Sequence, residues 1–278
     1  MKKKACPILL LIFLMFPIFE PTVFHLNEGN YNMQKSPSSK SSIPSRNGEP
    51  ILHKGSTTFI PPGPVIGEQI ALFIFVQFSD VKNSTPMETI LRRIYGPLWD
   101  YYKEVSYSKI SIEGWYVTAW IDLPNTMAYY GADSGNETDV NGYLLFYDTV
   151  NILDPYVDFS LYKHLIIVHA GGDQADSGET NDIWSAYYSG LTIPTNDGVT
   201  ITSGFTVAET SPMGTFAHEF GHSLGLPDLY DYNRTREFVG FWSLMGSGSW
   251  LGSPSGSWPS QLMSPERIWL GWIESSQV

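Results

Sequence analysis

The twelve residues Ala217-His218-Glu219-Phe220-Gly221-His222-Ser223-Leu224-Gly225-Leu226-Pro227-Asp228 restrict this chain more than any other stretch. Ser211-Pro212 predicts a helix start just upstream: a hydroxyl to cap the orphan N–H groups, then a ring that needs no such partner. The predicted helix runs to Leu224 and stops at Gly225, a residue suited to a left-handed exit. At about 100° per residue, His218 and His222 lie roughly 40° apart on one face. Phe216, Phe220 and Leu224 fall on the opposite face as core anchors. Two imidazoles one turn apart on a packed rod form a ready pair of nitrogen ligands for one zinc ion. Asp228 lies six positions past His222, beyond the glycine reversal, and is expected to swing back as a third ligand with Pro227 stiffening its approach. The plainer alternative is a core helix with two satisfied histidines. Glycine and aspartate at these further offsets weigh against it, since each type is only on the order of 5–7% of average composition.

The 278-residue chain is 42% hydrophobic and 14% aromatic, enough for one sizeable core or two lobes sharing a cleft. Its net charge of −12 gives no basic footprint, so no nucleic-acid partner is expected. Met1-Lys2-Lys3-Lys4 and the apolar residues 7–19 make a charged region followed by a short hydrophobic one. A comfortable membrane span needs about 20 residues. Residues 1–23 therefore read as a secretory signal. Because Phe19-Glu20-Pro21-Thr22 lacks a small-x-small cleavage pattern, an uncleaved anchor forming a membrane tether is the alternative. Cys6 is the only cysteine, so an exported domain would have no disulfides. Residues 24–64, rich in Ser, Asn, Lys and Pro, read as a disordered linker or short pro-segment, and 65–278 as one domain.

Within that domain, 69–78 is a near-continuous apolar run and predicts a buried central strand. Thr85-Pro86 opens a helix carrying Ile90, Leu91 and Ile94, broken at Gly96-Pro97 and resumed with Leu98, Trp99, Tyr102 and Val105. Residues 109–117 alternate as a strand that turns at Glu113-Gly114. A helix is expected over 143–152, with strands over 165–169 and 200–207, the last leading into the histidine helix. This order implies an α/β fold, a mixed twisted sheet above a cleft. After Asp228, Gly, Ser, Trp and Pro dominate with little periodicity until 265–272. In this irregular C-terminal subdomain Met245 sits in a tight Ser/Gly-rich turn, where a polarizable side chain can shield the base of a metal site.

Several segments carry a resemblance: Phe75-Val76-Gln77-Phe78-Ser79-Asp80, Tyr101-Tyr102-Lys103-Glu104-Val105-Ser106-Tyr107, Val157-Asp158-Phe159-Ser160, Val168-His169-Ala170-Gly171 and Ile183-Trp184-Ser185. With residues 218–231, Trp242-Ser243-Leu244-Met245 and Leu270-Gly271-Trp272-Ile273, they run in the order found in the immune inhibitor A family of secreted metallopeptidases, relatives of the metzincins, which this chain resembles. The resemblance implies a zincin/metzincin-like catalytic domain and a secreted zinc-dependent endopeptidase acting on protein or peptide substrates. It implies His218, His222 and Asp228 as ligands, Glu219 as the catalytic carboxylate and Met245 as the Met-turn. Members of the family also bind structural calcium. Here Asp133, Glu137 and Asp139, or Asp173, Asp176, Glu179 and Asp182, are the acidic loops with such oxygens, though neither has EF-hand spacing and a solvated loop is the plainer reading. Many relatives have a longer pro-segment and additional carboxy-terminal domains, so latency and targeting by such modules are not carried over.

Two neutral imidazoles and one carboxylate would leave a bound zinc one open position for water. Glu219, beside His218, is expected to take that water's proton and pass it to the leaving amine. His169 is expected to make a structural hydrogen bond. Tyr230 and Tyr232 follow Asp228 closely enough to assist the oxyanion or orient the loop, and His25, His53 and His164 have no partners by spacing. Two competing readings are a catalytically inactive, metal-stabilised surface binding module and a zinc hydrolase of small amides with a closed pocket.

Overall fold

The computed structural model describes residues 63–135, 137–230 and 238–277, together with the short strands β1 (Val23–Phe24) and β2 (Ile51–Leu52). The rest of the proposed signal and linker, including His25 and His53, lies outside the described residues, as does Tyr232. The long strands are β3 (Gly67–Gln77), β4 (Ile110–Asp122), β5 (His164–His169), β6 (Ala186–Pro194) and β7 (Thr200–Ala208). They form one mixed sheet in the order β1-β4-β3-β5-β7-β6-β2. β4, β3, β5 and β7 run parallel, and β6 turns back antiparallel to β7.

The apolar run of β3 is explained by burial on both faces. Ala71, Phe73 and Phe75 point to one core, whereas Leu72, Ile74 and Val76 point to the other. The first core is closed by α1 (Met87–Ile94), α2 (Pro97–Val105) and α6 (Met213–Ser223). The second is closed by α4 (Gly142–Leu153) with the segment containing Val157 and Phe159. Single-turn helices α3 (Met127–Tyr130) and α5 (Gln174–Ser177) sit in loops, and α7 (Ser264–Trp269) follows the irregular region after Asp228. No helix among the described residues is long and apolar enough to cross a membrane.

Two local expectations are corrected. β4 does not turn at Glu113-Gly114 but continues unbroken to Asp122, with Gly114 paired to Ala71. Gly114 is there for close approach: a Cβ would lie 2.5 Å from Trp99 Cζ2 and 2.6 Å from the Tyr95 ring. Ser211 does not cap α6. Pro212 occupies the cap position, while the Ser211 hydroxyl accepts from Ala208 N at 3.1 Å and donates toward Asp173 Oδ2 at 3.3 Å. One of the orphan N–H groups, that of Gly214, is met instead by the carbonyl of Gly256 at 2.8 Å.

Gly214 thereby docks the 247–258 loop onto the start of α6. A Cβ at this position would stand 2.0 Å from the Ser249 carbonyl oxygen and 3.0 Å from that of Gly256. In an open helix Gly→Ala gains about 1 kcal/mol. Here the neighbours are backbone, so Gly214→Ala is expected to destabilise the fold by about 1–3 kcal/mol, the usual cost of overpacking. Urea denaturation monitored by circular dichroism checks the sign.

Candidate metal centre

α6 contains two glycines, each costing about 1 kcal/mol against alanine. Burial of Phe216, Phe220 and Leu224 outweighs that, at about 1.5–3 kcal/mol per side chain. The ring of Phe220 packs on Tyr102 at 5.1 Å and on His164 at 4.8 Å. The Tyr102 hydroxyl donates to the carbonyl of Ala217 at 2.6 Å, beside the first histidine. At the far end, Ser223 Oγ lies 2.7 Å from His164 Nδ1, and His164 Nε2 lies 3.2 Å from Gln69 Oε1. Burial, helped by Lys163, drives His164 down to about 4, so it stays neutral. The partners that spacing failed to supply are thus 59 and 95 residues away in sequence.

On the opposite face His218 and His222 stand with ring centroids 4.8 Å apart and planes nearly perpendicular. Each is oriented from behind by a carbonyl. His218 Nδ1 lies 3.0 Å from Leu244 O, and His222 Nδ1 lies 2.8 Å from Leu226 O. A carbonyl only accepts, so both protons sit on Nδ1 and both Nε2 atoms turn to a common point. Gly225 leaves the helix at φ 98°, as its residue type suggested, and the chain reverses with Leu226 N bonded to Gly221 O at 3.0 Å. Leu229 N then reaches Met245 O at 2.8 Å, which ties the returning loop down. The reversal brings Asp228 Oδ1 to 3.0 Å from His218 Nε2 and 3.2 Å from His222 Nε2, while the two Nε2 atoms are 3.2 Å apart.

That triangle fits a metal. Bonds of about 2.0 Å to a tetrahedral zinc place neighbouring ligand atoms roughly 3.3 Å apart. Among the described residues, His218, His222 and Asp228 are the one group of His, Cys, Asp or Glu close enough to hold an ion. The two acidic loops considered for calcium are not gathered this way. Asp139 Oδ2 accepts from Trp184 N at 2.9 Å, and Asp173 Oδ1 accepts from Ala175 N at 3.0 Å, so both carboxylates serve as internal acceptors.

The electrostatics agree with a site built for positive charge. Burial alone would push Asp228 up, but the His222 and His218 rings hold it well below the usual carboxylate range. Burial works against a charged His218 too, yet the Asp228 carboxylate raises it to about 9. In the metal-free protein a proton on His218 therefore takes part of the role of a cation.

Glu219 is 6% exposed and its Oε2 has no hydrogen-bond partner among the described residues. Burial raises it to about 7, against the lowering effect of His218 and His222. Met245 is fully buried, with its sulfur beside Gly221, where a Cβ would be 2.6 Å away. The Tyr230 ring lies nearly parallel to His218 at 6.2 Å, and Tyr187 stacks near His222 at 6.1 Å. His169 is fully buried near Phe78, with Nδ1 3.1 Å from Ala170 O, and stands apart from this cluster. Sequence reasoning missed the two carbonyls behind the histidines, because a backbone acceptor leaves no residue-type signal.

These residues lie in a stretch that is similar to known metallopeptidases. Residues 147–272 match the profile described as Immune inhibitor A peptidase M6, catalytic domain. Immune inhibitor A of Bacillus thuringiensis subsp. alesti is 31% identical over 210 residues, covering 60% of this chain and 30% of that protein. The pre-pro-metalloprotease PrtV of Vibrio cholerae serotype O1 is 30% identical over 225 residues, covering 64% of this chain and 24% of its own. Metalloproteinase-II from Bacteroides fragilis, a solved structure, aligns over 82% of this chain and 58% of its own with TM-score 0.40 and 14% identity. The chain spans under a third of the length of the two curated relatives. The matched span runs from within α4 to Trp272 and takes in His218, Glu219, His222 and Asp228, so over these residues the chain is similar to the M6, or immune inhibitor A, metallopeptidases.

Proposed function

We propose that the chain is a secreted zinc-dependent endopeptidase, with His218 Nε2, His222 Nε2 and Asp228 Oδ1 holding the metal. The observation that carries this reading is the convergence of those three atoms within 3.0–3.2 Å while both Nδ1 atoms are engaged by carbonyls. When bound, zinc polarises a peptide carbonyl and makes water acidic enough to attack near neutral pH. Glu219 accepts the water proton at Oε2, which is otherwise unpartnered among the described residues, and delivers it to the leaving amine. A base near 7 suits that double role, being basic enough to take the proton and acidic enough to return it. Met245 serves as the Met-turn, an apolar base beneath the ligands. Residues 1–23 act as the export signal, and residues 65–278 form the catalytic domain.

Casein zymography tests the activity. Cleavage is expected to vanish with 1,10-phenanthroline and to return when zinc is added back. An inactive binding module would bind zinc and leave casein intact, which would overturn the enzymatic reading.

A further inference from the structure

Glu266 is fully buried, lies outside the metal cluster and has no part in the chemistry above. It stands in the first turn of α7 and reaches back to accept Met263 N at 2.6 Å, as a glutamate at that position of a helix ordinarily does. Capping needs only one oxygen and can be done at the surface. It does not account for burying a carboxylate, which costs several kcal/mol unless hydrogen bonds compensate.

The remaining contacts do account for it. Ser243, 23 residues upstream, has its Oγ 2.8 and 2.9 Å from the two carboxylate oxygens. An ionised carboxylate can only accept, so the Ser243 hydroxyl spends its one proton there and presents a lone pair elsewhere. That lone pair receives Met245 N at 3.0 Å. The Ser243 carbonyl accepts from Gly246 N and Gly248 N, each at 3.1 Å, and Leu244 N donates to Gln261 O at 3.3 Å. The turn over 243–246 is therefore fastened on both sides of Leu244, whose carbonyl meets Nδ1 of His218 at 3.0 Å.

We propose that Glu266 is a positioning residue for His218, acting through Ser243 and this turn to aim the Leu244 carbonyl at the imidazole. The inference rests on His218 being a metal ligand. Partners one shell behind a ligand change metal affinity by about 10–100-fold when lost. Glu266 acts one link further back, so its loss is expected at the lower end, about tenfold.

The test uses the full chain and reads metal binding. Zinc affinity is measured by competition with a chromophoric chelator, and ligand geometry by the visible absorption of the cobalt(II)-substituted protein. Glu266→Gln leaves one acceptor oxygen where Ser243 and Met263 both donate, and Ser243→Ala cuts the relay while keeping the carboxylate. Each is expected to weaken zinc binding about tenfold and to shift the cobalt bands. The double variant is expected to be no weaker than the worse single one, because both break one chain of contacts. If Glu266→Gln does not fold, Glu266→Asp, which withdraws the charge from Ser243 by one methylene, carries the same expectation. Variants that lose thermal stability but bind zinc within about twofold of the parent, with unchanged cobalt spectra, would show Glu266 to be a helix cap only. A parent chain that binds neither zinc nor cobalt overturns the metal reading itself, and this one with it.

Discussion

Glu219→Gln is expected to leave zinc bound at one equivalent and to lower the rate of peptide hydrolysis by about 10²–10⁴-fold, the usual share of general acid–base catalysis. The substitution keeps the volume of a side chain that is only 6% exposed, so the packing of α6 is preserved. It also leaves untouched the three atoms that converge on the proposed ion. What it removes is the proton acceptor. A second effect should accompany the first. Burial lifts the Glu219 carboxyl to about 7 from an ordinary 4.5, so the folded metal-free protein takes up a proton more readily there than the unfolded chain does. Stability from this group accordingly falls as pH rises from about 4.5 through about 7. Glu219→Gln should abolish that slope and make the metal-free protein more stable than the parent above neutral pH, a trade of stability for function. Elemental analysis, turnover of a quenched peptide and thermal melts from pH 4 to 8 measure the three parts. Hydrolysis within tenfold of the parent would remove Glu219 from the mechanism.

The histidine helix was legible in sequence because its information is local. The hydrophobic face of Phe216, Phe220 and Leu224 is buried, and Gly225 does adopt a left-handed φ. The strands β3 and β5 were legible because their apolar runs follow from burial on both sides of a sheet. β6 escaped notice. Its register against β7 shifts between Ser189 and Ile193, and Gly190 stands at φ 75°, so the sequence 186–194 lacks steady alternation. Ser211 and Gly114 were misread for a common reason. A hydroxyl before proline and a glycine after glutamate match local templates for a cap and a turn, whereas their surroundings come from distant residues, Asp173 for one and Trp99 with Tyr95 for the other. The support behind His218 was invisible for the same reason. Glu266 and Leu244 lie 48 and 26 residues from it along the chain.

Asp228→Asn should cost more than about 100-fold in zinc affinity, beyond what loss of a partner behind a ligand costs, and activity should disappear with the metal. The amide keeps the shape of the side chain but removes the negative charge that both imidazoles face at 3.0 and 3.2 Å. A pH series separates this from general damage. In the parent, Asp228 raises His218 from 6.5 to about 9 against the opposing effect of burial. A raised histidine stabilises the folded metal-free protein fully below its unfolded value, so that contribution is present below about 6.5 and is lost as pH climbs to about 9. Zinc requires the same nitrogen without its proton, so affinity moves the other way and strengthens across the same window. The parent is therefore expected to show a falling melting temperature without metal and a rising zinc affinity with metal between pH 6.5 and 9. In Asp228→Asn both slopes should flatten toward the behaviour of an ordinary histidine, because one carboxylate produces both. Calorimetric melts of the zinc-stripped protein and chelator competition at three pH values measure the pair. If the metal-free slope disappears while zinc affinity stays at the parent value, Asp228 is a charge partner of His218 and no ligand, and the third coordinating atom must be sought elsewhere.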